Sequence, residues 1–199
     1  MRDQYAGDIS DLLKLALLRV LVGESETLGV GWYFNPVSDG RPDGRHREYC
    51  EEIKWRVLDS ALWNALRELP QRSVDALEKL SIWPPGTRFH RLAVPSRERC
   101  YPWALDMKAA LDGSSIVFLD PDNAIGVTER HATIHEVETM RQHGRALVLI
   151  KFPGRDNHDR QLEAYHASLL EQTHCSSLYL AHYRLDQAAD HAVVHDHRR

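Results

Sequence analysis

The 199-residue sequence predicts an α/β fold with a mostly parallel sheet, on three observations. Apolar runs such as "LGVGWYF", "SIVFLD" and "RALVLI" are continuous rather than alternating, as in strands covered on both faces. Segments of helical period separate them. Two further β-rich runs, "SSLYLAHYRL" and "HAVVHDH", lie close together at the end and predict an antiparallel C-terminal edge. The arrangement is a Rossmann-like three-layer sandwich, expected as a single α/β domain over residues 1–199.

The elements follow in order. Residues 8–22 carry Ile9, Leu12, Leu13, Ala16, Leu17, Val20 and Leu21 at helical spacing, with Asp8 as N-cap, Asp11 as its capping-box-like partner and Gly23 at the stop. "LGVGWYFNP" reads as a buried strand ended by Asn35-Pro36. A long polar loop, "VSDGRPDGRHREY", sits at its carboxyl end, where binding loops occur. Residues 47–80 read as helical, broken at Leu69-Pro70 and restarted by a Ser73 cap. A strand over 87–94 precedes a helix that begins near Pro102 and stops at Gly113. "SSIVFLDPD", a helix in "TIHEVETMRQHG", the buried strand "RALVLIKFPG" and a helix in "DRQLEAYHASLLEQT" lead to the final pair.

Composition sets limits on function. An apolar share of 43% and a charged share of 27% are those of an ordinary globular chain. No stretch approaches the roughly 20 consecutive apolar residues of a membrane helix. The opening "MRDQYAGDIS" lacks the basic and apolar regions of a secretory signal, so a cytoplasmic protein is expected. Cys50, Cys100 and Cys175 are far apart and form no C-x-x-C pair, which points to isolated thiols rather than a disulfide or zinc framework. A net charge of −4 leaves nucleic-acid binding to a local basic patch.

Chemistry concentrates at "FLDPDN". Asp120 ends a buried strand at the carboxyl edge, where open α/β sheets bind ligands, and Pro121 turns the chain there. Asp122 and Asn123 add acceptors and an amide, although the same four residues also make a good turn. At the N-terminus, Gly7, Asp8, Asp11 and Lys14 combine a close backbone approach, helix N–H groups and a cation one turn inside; a capped helix with a solvated lysine is the plainer account. Arg41, Arg45, His46, Arg47, Lys151, Arg155, His158 and Arg160 make either a basic rim for a phosphate-bearing substrate or solvated loops. His182, His191, His195 and His197 read as solvated histidines. Asp120 and Asp122 with Asp39 or Asp43 offer oxygen ligands for Mg²⁺, as a nuclease or phosphodiesterase requires.

"AGDISDLLKLALL" resembles the A-G-N-x-x-D-x-x-K-H opening of the large-subunit ribosomal RNA adenine-N6 methyltransferases, matching at Ala6, Gly7, Asp11 and Lys14. "FLDPDN" resembles the D-P-P-Y signature of adenine-N6 methyltransferases at Asp120 and Pro121. The chain as a whole resembles an uncharacterised bacterial family with a "GDIGDFGKYALLR"-like start, "WYLTPDE…DGRH" and "FLDPDNG"; the matching residues are Trp32-Tyr33-Phe34-Asn35-Pro36, Asp43-Gly44-Arg45-His46 and residues 118–123.

The methyltransferase resemblance implies S-adenosylmethionine held by Gly7, Asp8, Asp11, Lys14 and Asn35. It implies a base amine oriented by Asp120; beside it, Asp122 and Asn123 are candidate catalytic residues from the turn, and Arg45, His46, Lys151 and Arg155 from the basic rim are the candidates to meet a nucleic acid or nucleotide substrate. "NPVSDGRPDG" stands where a glycine-rich cofactor loop would follow the first strand, and Asp122-Asn123 where Pro-Tyr would stand. A Mg²⁺-dependent nuclease and a noncatalytic nucleic-acid-binding domain are the alternative expectations.

Overall fold

The computed structural model describes residues 1–38, 40, 46–95, 101–128, 130–151, 158–173, 178–182 and 193–197. Two compact units divide the chain, Met1–Lys151 and Phe152–Arg199.

In the first unit, helix α1 (Ile9–Leu21) leads into strand β1 (Leu28–Trp32). After β1 come 3₁₀ turns at Glu48–Cys50 and Ile53–Val57, then α2 (Ser60–Arg67), α3 (Val74–Glu78) and β2 (Arg88–His90). The unit finishes with α4 (Tyr101–Ala110), β3 (Ile116–Asp120), α5 (Ile134–Met140) and β4 (Ala146–Leu149). All four strands are parallel, in the order β2-β1-β3-β4. From β1 the chain crosses to β2 on one side, then returns to β3 on the other. The carboxyl ends of β1 and β3 therefore flank a topological switch point, the position where open α/β sheets form their crevice.

Strand alternation decides which face each residue serves. Leu28, Val30, Trp32, Ile116 and Phe118 join α1, α2 and α3 in one core; Val117 and Leu119 join Trp103, Met107, Val137 and Met140 of α4 and α5 in the other. Gly31 lets α4 approach β1 closely: a Cβ there would lie 2.7 Å from Met107 Sδ.

Three expectations need correction. Residues 47–59 form 3₁₀ turns instead of a helix, and the α-helix starts only where the Asp59 side chain caps Leu62 N. The strand expected to be fully buried, β4, is an edge strand of the described sheet, and its residues are exposed or half-buried. In α1 the buried face is Asp11, Leu12, Lys14, Leu15 and Leu18, whereas Val20 and Leu21 are exposed. That helix is apolar around most of its circumference, so spacing alone left its orientation undetermined.

The second unit contains α6 (His158–Thr173), β5 (Leu178–His182) and β6 (Val193–His197). The last two pair antiparallel with Leu180 opposite His195, as a two-stranded sheet of their own. The antiparallel strands therefore form as expected, without a described ladder to the parallel sheet.

Candidate functional site

Asp120 is the last residue of β3, level with Trp32 at the end of β1. It shares the parity of Ile116 and Phe118, so its side chain points to the α1 face. Lys14 meets it there, Nζ lying 3.1 Å from Oδ1 and 3.3 Å from Oδ2. One turn earlier on the same helix, Asp11 Oδ1 lies 2.8 Å from Lys14 Nζ. All three residues are withdrawn from solvent, at 1% exposure for Asp11, 5% for Lys14 and 4% for Asp120.

Burial drives the Asp11 carboxyl up to about 6, against the pull of Lys14 and with the push of Asp8 and Asp120. Lys14 is shifted upward: burial opposes its charge, but Asp11, then Asp120 and Asp8, outweigh it. The lysine is thus a permanent ammonium between two carboxylates.

The start of α1 is closed on itself. Asp8 Oδ1 accepts from Ser10 N at 2.9 Å and Asp11 N at 3.1 Å, while Ile9 N donates to the His46 carbonyl at 3.0 Å. Gly7 has a φ of +74°; its N–H donates to Asp11 Oδ2 at 2.7 Å, and its carbonyl accepts from the buried Tyr49 hydroxyl at 2.9 Å. The reciprocal contact of Asp11 therefore reaches the residue before the cap rather than the cap itself. The N–H groups expected to receive an anion are occupied, and Gly7 supplies a left-handed turn.

The rest of the edge is polar. The Met1 nitrogen donates to the Tyr33 carbonyl at 2.6 Å and to Asp122 Oδ1 at 3.2 Å, and Asn35 N donates to the Met1 carbonyl at 2.9 Å. Asn35 Oδ1 caps Val37 N at 2.9 Å. Asn123 is exposed, and its backbone N–H is tied to the Arg130 carbonyl at 2.9 Å. The connected Ala124 has a φ of +58°, an uncommon conformation for a residue with a Cβ, and is buried. His46 and Lys151 are exposed, while Arg47 turns inward to the Leu66 carbonyl at 2.8 Å. Arg41, Arg45, Arg155, Asp39 and Asp43 lie outside the described residues, as do Cys100, Cys175, His191 and the side chains of His158, His182, His195 and His197. Cys50 is buried and free.

No family model, curated protein or solved structure matches this chain.

On the opposite face, sequence reasoning missed a second cluster. Tyr33 donates to Glu136 Oε2 at 3.0 Å, and its ring meets Trp103 edge-on at 5.3 Å. Trp103 in turn meets His90 at 5.4 Å, and His90 Nε2 pairs with Asp106 Oδ2 at 3.1 Å. Burial outweighs Asp106 and lowers the affinity of His90 for a proton. β2 ends at His90, and Arg91 after it pairs with Asp75 Oδ1 at 3.0 Å.

These contacts determine what the edge can hold. Both Asp120 oxygens face an ammonium, so a divalent cation there would stand beside a like charge; the oxygen set does not fit Mg²⁺. Each carboxylate oxygen has a second lone pair, and an uncharged amine N–H can still donate to it. Gly7, Asp8 and Asp11 are engaged internally and do not fit as direct ligands of S-adenosylmethionine. Among the described residues, no helix is long and apolar enough to cross a membrane.

Proposed function

We propose that this chain is a methyltransferase-like enzyme that acts on the amine of a base in a nucleic acid or nucleotide. S-adenosylmethionine is the methyl source in this reading. The observation that carries it is the meeting of Lys14 and Asp120, 106 residues apart, at the switch point of a parallel sheet. The two segments that resemble methyltransferase motifs independently of one another thus contribute to a single cluster.

Asp120 accepts a hydrogen bond from the substrate amine and orients its lone pair. Lys14 and Asp11 are positioning residues that fix the carboxylate and keep water from it. Asn35, three residues past the end of β1, would hold the methyl donor, and Asn123, three residues past the end of β3, would face the base beside Asp120.

Calorimetric titration with S-adenosylhomocysteine tests the reading. Saturable binding is expected, weakened roughly 3- to 10-fold in Asn35→Ala by the loss of one hydrogen bond. Asp120→Asn is expected to retain binding while losing transfer of a labelled methyl group to RNA. A flat titration would remove the reading. It would favour a noncatalytic nucleic-acid-binding domain, which the internally satisfied start of α1 also suits.

A further inference from the structure

We propose that residues 1–5 form a strap that closes the switch-point crevice over Asp120 and has to lift before a ligand enters. The proposal deepens the reading above by naming what controls access to that site, and rests on it for the ligand. At 4% exposure, Asp120 offers almost no surface to an incoming amine in this conformation. Residues 1–5 stand in the way.

Met1 bridges the two strand ends that flank the switch point. Its nitrogen donates to the Tyr33 carbonyl, one residue beyond β1, and to Asp122 Oδ1, two residues beyond β3, while its carbonyl accepts from Asn35 N. Its side chain, 5% exposed, belongs to the same buried cluster as Leu12, Trp32 and Phe118. That cluster fills the face to which Asp120 and Lys14 also turn.

Beyond Met1 the segment is held lightly. Arg2 Nη1 donates to the Val37 carbonyl and Ser38 Oγ to Gln4 Oε1 at 2.6 Å, both at exposed positions, and Val74 N donates to Asp3 Oδ1 at 2.8 Å. Residues 3–5 make a single 3₁₀ turn with no buried residue and no side-chain cap. Firm anchorage begins at Ala6, whose carbonyl accepts from Arg72 Nε at 3.1 Å, and at Gly7, tied to Asp11 and Tyr49. One buried side chain and a few part-exposed hydrogen bonds therefore close the edge, which is the make-up of a segment that opens locally while the sheet stays folded. A site open in only a fraction of molecules binds its ligand more weakly by that fraction.

The test is native-state hydrogen exchange, read amide by amide on the full chain, in the parent and in the double variant Arg2→Ala/Gln4→Ala, which removes the side-chain contacts to residues 37–38. The Asn35 amide, bonded to Met1, should exchange faster than that of Val30 within β1. In the double variant it should exchange faster again, by roughly 3- to 30-fold, with Val30 unchanged within about twofold. S-adenosylhomocysteine should then bind the variant more tightly by up to the same factor. Equal exchange of Asn35 and Val30 in the parent, or of Asn35 in parent and variant, would overturn the strap. Faster exchange of Asn35 with unchanged affinity for S-adenosylhomocysteine would overturn it as well, because the segment would open without controlling the site. Faster exchange alongside a flat titration of both proteins would uphold the strap and remove only the methyltransferase reading.

Discussion

The two faces of the sheet's carboxyl edge bury polar groups in opposite ways. On the α1 face an ammonium lies between two carboxylates, Asp11 and Asp120, all three largely buried. On the α4 and α5 face a hydroxyl, an imidazole, an indole and two carboxylates, Glu136 and Asp106, are joined by single hydrogen bonds and edge-on ring contacts. The second arrangement is ordinary packing. The first contributes little net stability compared with apolar replacements, yet is costly to break, and a cluster of that kind at a strand end points to use rather than to scaffolding.

The largest expected effect comes from removing the shared cation. Lys14→Met should destabilise the protein by about 3–5 kcal/mol in urea unfolding, because two buried carboxylates lose their counter-ion. The loss should also depend on pH. With its folded value raised from 3.8 to about 6, Asp11 contributes stability that is complete below the unfolded value and lost as pH rises through about 6. Without Lys14, whose charge pulls the Asp11 value down, Asp11 holds its proton to still higher pH, so the gap between parent and variant should narrow on acidification. An equal gap at acidic and alkaline pH would show that the cluster is held by packing rather than by charge.

On the other face, Tyr33→Phe should cost only about 1–2 kcal/mol. Glu136 Oε2 keeps its bond from Thr133 N at 2.8 Å, so its carboxylate is not stranded; a loss as large as that of Lys14→Met would erase the contrast between the faces. The smallest change is expected in His90→Gln, which preserves a donor to Asp106 but cannot titrate. Because burial lowers the folded value of His90, its contribution is present above its ordinary value of 6.5 and lost as pH falls below it. Differential scanning calorimetry across that range should find a shallower slope in the variant, opposite in sign to the Asp11 effect.

The fold was largely legible because continuous apolar runs and capped helices are local signals. β1, β3, α4 and α5 fall within their expected segments. Asp120 was legible too, as a carboxylate at the end of such a run. Its partnership with Lys14 was not, since no local pattern pairs residues 106 apart. A signal did exist: Asp11, Lys14, Leu15 and Leu18 follow the i, i+3, i+4, i+7 spacing of one face, so an apolar stripe carried two charges into the core.

The distance in sequence between Lys14 and Asp120 also bears on how the protein is born. A nascent chain that has released α1 and β1 but still holds β3 in the ribosomal tunnel already exposes Asp11 and Lys14, and lacks the carboxylate that completes their burial. α1 can already bury Leu12, Leu15 and Leu18 against β1, α2 and α3, but its lysine gains its second carboxylate only once more than half the polypeptide has emerged, so the site is completed late.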